Sequence, residues 1–88
     1  MAISNGNVIS NFVTDGRFCQ SEHLYNQRNR LVNYSTPIAV KRDSKTLVNT
    51  AYYSRTTRKI QNELVRQLEY YGIPFETVET QAEWKKLV

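Results

Sequence analysis

The stretch Tyr52–Pro74, YYSRTTRKIQNELVRQLEYYGIP, constrains this chain most, because a helix start, an apolar stripe and a helix stop agree within it. The Ser54 hydroxyl can accept from the free N–H groups two and three residues on, which predicts an N-cap with Arg55 as the first helical residue. Ile60, Leu64, Leu68 and Tyr71 recur at steps of four, four and three. At about 100° per residue they form one stripe, with Val65 at its margin and Arg58, Asn62, Arg66 and Glu69 opposite. Gly72 can turn left-handed after the last turn, Ile73 can fold back on Leu68, and Pro74 cannot continue the helix.

Around this helix the chain reads as short strands. Residues 1–6, MAISNG, are small and polar and predict a flexible start. Val8–Thr14 and Arg17–Gln20 flank Asp15-Gly16, a pair suited to a two-residue turn, so they predict a β-hairpin with Thr14 opposite Arg17, Val13 opposite Phe18 and Phe12 opposite Cys19. Ser21–Arg30 predicts one or two helical turns capped by Ser21, followed by loop, with a loop throughout as the alternative. Leu31–Arg42 and Thr46–Tyr53 predict the main hairpin, with Arg42-Asp43-Ser44-Lys45 at its tip. Pro37 has no N–H to donate, so it either sets the first strand at an edge or divides it into 31–35 and 38–42 with a bulge between. Phe75–Glu79 alternates like a strand. Thr80 and Glu83 have the spacing of a capping box, and Trp84, Leu87 and Val88 would be the inner side of a last short helix. The expected fold is one α+β domain over residues 1–88: an antiparallel four- to five-stranded sheet, one long helix packed on a face and a short C-terminal helix.

Two motifs carry a resemblance. At Thr36-Pro37-Ile38-Ala39 and at Tyr53-Ser54-Arg55-Thr56-Thr57-Arg58-Lys59-Ile60-Gln61 the chain resembles a family of small uncharacterised phage and prophage proteins. Its members share a T-x-I-A strand, a hairpin, a strand ending in Tyr-Ser and a helix opening x-T-T-x-K-x-Q. The likeness covers roughly residues 31–65 and departs at Ile60, where members often have His. It implies a viral origin and a binding factor in host takeover or anti-defence, without implying a reaction.

Composition bounds the function. An 88-residue chain with 40% apolar residues and six tyrosines holds one modest core and no deep cleft between domains. No apolar run approaches the ~18 residues that span a bilayer, the N-terminus lacks a signal-peptide pattern, and the single Cys19 forms no internal disulfide, so a cytoplasmic protein is expected. Enzyme chemistry finds little support. His23 and Cys19 are too few for a metal site, which needs three or four ligands, and Cys19 beside Phe18 reads as a buried strand residue rather than an activated thiol. There is no phosphate loop, carboxylate pair or nucleophile elbow, and no cofactor is implied.

Charge is the remaining signal. Residues 17–66 hold ten basic against three acidic side chains, +7, whereas residues 67–88 carry −2. Lys41, Arg42 and Lys45 cluster at the expected hairpin tip, and Arg55, Arg58 and Lys59 at the helix start. Cations oppose the helix dipole there by about a few tenths of a kcal/mol each, so they suggest a use. That end of a helix favours phosphate, and the hydroxyls of Ser54, Thr56 and Thr57 are further donors. The alternative use is pairing with Glu63 or Asp43. The expected function is a non-enzymatic phage accessory protein that binds nucleic acid, or the nucleic-acid groove of a host enzyme, through these six cations. The competing expectation is an anti-CRISPR-type inhibitor of a host nuclease that binds protein through Tyr25, Tyr34 or Trp84. Neither reading calls for a membrane or a small-molecule substrate, and a proline-bearing edge strand suits a monomer or weak dimer.

Overall fold

The helix forms as its signals dictate. In the computed structural model, which describes residues 4–14, 18–27, 29–42 and 45–88, α2 runs Arg55–Tyr70 and Ser54 caps it, its hydroxyl accepting from the Thr57 N–H. At the other end Ile73 N–H donates to Leu68 O and Gly72 N–H to Glu69 O. With Gly72 at φ 68°, this is the paired-bond stop that a glycine after the last turn permits. Ile60, Leu64 and Leu68 are buried and Val65 packs at their margin. Tyr71 departs from the expected stripe: as the C-cap residue it is 46% exposed and meets Tyr70 edge-on, centroids 5.0 Å apart.

The other elements are α1 (Asn5–Thr14), β1 (Cys19–Gln20), β2 (Leu24–Gln27), β3 (Arg30–Asn33), β4 (Thr36–Arg42), β5 (Lys45–Asn49), β6 (Phe75–Val78) and α3 (Gln81–Leu87). The strands form one six-stranded sheet in chain order. Neighbours are antiparallel except β5 and β6, which α2 connects and which pair in parallel. The fold is therefore α+β, as expected, but with a mixed sheet and three helices. A strand that returns to its neighbour's side through a helix laid across the sheet arrives in the same direction, hence the parallel pair. α1 and α2 share one face, where Val8, Ile9, Phe12 and Val13 meet Ile60, Leu64 and Leu68 over Leu31, Ala39 and Val48. α3 covers part of the other, with Trp84 packed on Val40, Leu47 and Val78. Being covered on both faces, β4 and β5 do not show the clean polar alternation of a half-exposed sheet.

Several expectations are corrected. Residues 8–14 are helix rather than strand, and residues 5 and 6 begin that helix rather than a flexible start. Val8 and Phe12, like Ile9 and Val13, stand four apart and so share a helical face, whereas strand alternation would have put Ser10 and Thr14 beside Val8. The cross-strand pairs assigned to Phe12, Val13 and Thr14 go with that strand: Cys19 pairs with Asn26 instead. The Asp15-Gly16 turn, Arg17 and the Asp43-Ser44 tip lie outside the described residues. Residues 24–27 form β2 rather than helix or plain loop, because Leu24 and Asn26 alternate inward. The segment 31–42 folds back at Tyr34-Ser35 into two strands, β3 and β4. Pro37 consequently lies in an interior strand, beside the register shift opposite Leu31 and Val32, where a residue without an N–H is tolerated. In α3, Thr80 caps by accepting from Glu83 N–H and Trp84 is buried as expected, but Leu87 and Val88 are substantially exposed.

Candidate functional site

The six expected cations form two groups rather than one surface. Arg42 and Lys45 face each other across the end of β4 and β5. α2 starts beyond the far end of β5, whose five residues alone span about 13 Å. Each hairpin cation is also engaged. Lys41 lies with its ammonium 4.9 Å from the centre of the Phe12 ring, Arg42 donates to Leu87 O at the end of α3, and Lys45 pairs with Glu76.

The α2 group is different. Among the described residues no carboxylate lies within ion-pair distance of Arg55, Arg58 or Lys59. Of the two acids expected to neutralise them, Asp43 lies outside the described residues, and Glu63 is gripped by Arg66, whose Nε donates at 2.9 Å, and by Gln67 Nε2 at 2.8 Å. Those two hydrogen bonds, Arg66 first, hold the Glu63 carboxyl below its ordinary pKa. Arg58 keeps one contact, its guanidinium 5.6 Å from the centre of the exposed Tyr52 ring.

Buried polar residues fix where these cations stand. Gln61 Nε2 donates to the carbonyls of Asn49 and Ala51, at 2.7 and 2.9 Å. Asn49 Oδ1 accepts from Ala51 N–H at 3.0 Å, and its Nδ2 donates to Tyr53 Oη at 2.9 Å. The link between β5 and α2 is thereby held at both ends. Thr57 Oγ1 donates to Asn33 Oδ1 at 2.8 Å, and Asn33 Nδ2 donates to His23 O at 3.0 Å. The helix start is thus tied to the Tyr34-Ser35 turn. Of the three hydroxyls expected to serve an anion, Ser54 is the cap and Thr57 points into this network. Thr56 is exposed and takes no part in the cap, and it lines a groove of about 270 Å³ with Asn5, Ser21, His23, Asn33 and Ile60.

Asn33, Asn49, Thr57 and Gln61 were missed as positioning residues. The available signal was that Thr57 and Gln61, four apart, fall on the stripe of Ile60, Leu64 and Leu68. The Thr-Thr-x-Lys-x-Gln motif therefore divides between an outward Thr56 and Lys59 and an inward Thr57 and Gln61.

The aromatic candidates also divide. Trp84 is corrected: it is 2% exposed, and its Nε1–H donates to Pro37 O at 2.8 Å, so it belongs to the core rather than to a contact surface. Tyr25 is half-buried in β2. Tyr34 is exposed at the turn, its ring stacked on His23 with centroids 4.6 Å apart. His23, on which the Tyr34 ring lies, therefore shares a groove with Thr56, and Arg55 and Lys59 stand one and three residues from Thr56 in α2, whereas Arg58 lies on Tyr52. Among the described residues no helix is long and apolar enough to cross a membrane.

Residues 5–86 match a family of unknown function, DUF8033. No curated protein and no solved structure matches the chain.

Proposed function

The chain belongs to this family of unknown function, DUF8033, and we propose for it the role of a non-enzymatic phage accessory protein that binds nucleic acid through the start of α2. The observation that carries the reading is the absence of any neutralising carboxylate beside Arg55, Arg58 and Lys59 among the described residues. Three cations held at the positive end of a sixteen-residue helix raise an electrostatic potential that phosphates relieve. Because each phosphate neutralised releases counterions, three contacts predict a log K against log salt slope of roughly −2 on single strands and roughly −3 on duplex. Lys41, Arg42 and Lys45 are left out, since they are engaged elsewhere at the far end of β5.

The direct test is fluorescence anisotropy with labelled random-sequence DNA and RNA, titrated with the protein at low and moderate salt. Micromolar binding that weakens along this slope supports the reading. No binding at tens of micromolar protein near 50 mM salt would overturn it, because ordinary non-specific affinities are ~10⁻⁴ to 10⁻⁶ M. An anti-defence inhibitor that grips a host nuclease is the second reading. It draws on the exposure of Tyr70 and Tyr71 at the other end of α2, and it predicts salt-insensitive binding to protein and none to nucleic acid.

A further inference from the structure

Tyr34 stands where the backbone accommodates a tyrosine poorly. Its φ of 58° is left-handed, a conformation that glycine or asparagine adopts with far less strain than a bulky side chain. The ring contributes little to the core, being 55% exposed. Instead it lies on the imidazole of His23, centroids 4.6 Å apart and planes 19° from parallel. The Tyr34 N–H donates to His23 O at 2.7 Å, and Asn33 Nδ2 donates to the same oxygen. The backbones that carry the two rings are therefore held together at this turn.

We infer that Tyr34, backed by His23, is a stacking platform for an unpaired base, so that the partner of this surface is a single-stranded nucleic acid. This rests on the reading of the α2 start as a nucleic-acid surface. Stacking on an aromatic side chain needs a base whose face is free, which a duplex does not offer. Tyr34 borders a groove of about 310 Å³ whose rim carries Gln20, Ser21 and Ser35, groups able to hydrogen-bond a base edge, together with half-buried Tyr25. His23 also lines the groove that reaches Thr56, so a strand with a base on Tyr34 continues toward Arg55 and Lys59, where its phosphates meet positive charge. Among the described residues Glu22 is the acid on that rim, and its side chain is 87% exposed and 3.5 Å from His23 Nε2.

The test compares three probes of equal length and salt: a single-stranded DNA or RNA, the same strand built of abasic sites, and the duplex. Wild type should bind the base-bearing single strand roughly tenfold more tightly than the abasic strand, the size expected for one stacked base. Tyr34→Gly, which suits the positive φ and so keeps the turn, should remove that preference, and Tyr34→Phe should keep it. Equal binding of base-bearing and abasic strands, tighter binding of duplex, or an unchanged preference in Tyr34→Gly would each overturn the stacking platform while leaving phosphate binding at α2 in place. Failure of all three probes to bind would overturn both.

Discussion

Thr57 Oγ1 donates a 2.8 Å hydrogen bond to Asn33 Oδ1, joining residues 24 apart in sequence inside the protein. This bond ties the start of α2, which bears the cations, to the β3–β4 turn, which bears Tyr34. Thr57→Val keeps the shape and removes the hydroxyl. Because it leaves a buried acceptor short of a donor, it should lower stability by about 1 to 3 kcal/mol, read as a lower midpoint in urea unfolding. An unchanged midpoint would show that the bond does not position the helix.

The stripe of α2 predicts an asymmetry between its faces. Leu64 is fully buried against α1 and the sheet, so Leu64→Ala should cost about 2 to 5 kcal/mol. Arg66 is 68% exposed and pairs with Glu63, so Arg66→Ala should shift the urea midpoint far less than Leu64→Ala does. Urea melts of the two variants check this, and equal losses would contradict the packing described for α2.

Trp84 offers an optical check of α3. It is the one tryptophan of the chain, buried with its indole N–H on Pro37 O. Its emission should be blue-shifted in the native protein and move to the red on unfolding, and Trp84→Ala should lose about 3 to 5 kcal/mol. Native emission at the wavelength of the unfolded chain would mean that α3 does not dock on the sheet.

The α2 helix was legible because every determinant of it is local: Ser54, the apolar spacing and Gly72-Ile73-Pro74 act within a few residues of one another. The same holds for Thr80 capping α3. The strand misassigned at Val8–Thr14 was not, because VISNFVT is rich in β-branched residues, while the signal that won, its four-residue spacing, pays off only when α2 is there to receive Val8 and Phe12. The fold-back at Tyr34-Ser35 was hidden for a related reason: a tyrosine at positive φ carries no turn signal of its own. At the site, Arg55, Arg58 and Lys59 were legible from their conflict with the helix dipole. Their separation from Lys41, Arg42 and Lys45 was not, since it depends on the direction in which β5 delivers the chain to α2.

Glu63 gives a pH dependence. Its folded pKa is depressed by the Arg66 and Gln67 hydrogen bonds, so its contribution to stability is present above the unfolded value of about 4.3 and is lost as pH falls through the lower folded value. Gln67 Nε2 also donates to Gly6 O, so the same cluster helps hold α1. Urea midpoints of wild type should fall faster between about pH 5 and pH 3 than those of Glu63→Gln. Parallel curves would contradict the assignment.

The central claim is that Arg55, Arg58 and Lys59 serve an anionic partner rather than the fold. The most direct measurement is the salt dependence of single-strand binding by the triple variant Arg55→Ala, Arg58→Ala, Lys59→Ala, taken together with its urea melt. Weaker binding, a slope flattened by roughly 2 units and stability kept or slightly raised, since cations that oppose the helix dipole are gone, is the predicted result. Unchanged binding together with lost stability would contradict it, and would show that these side chains cover apolar surface with their stems.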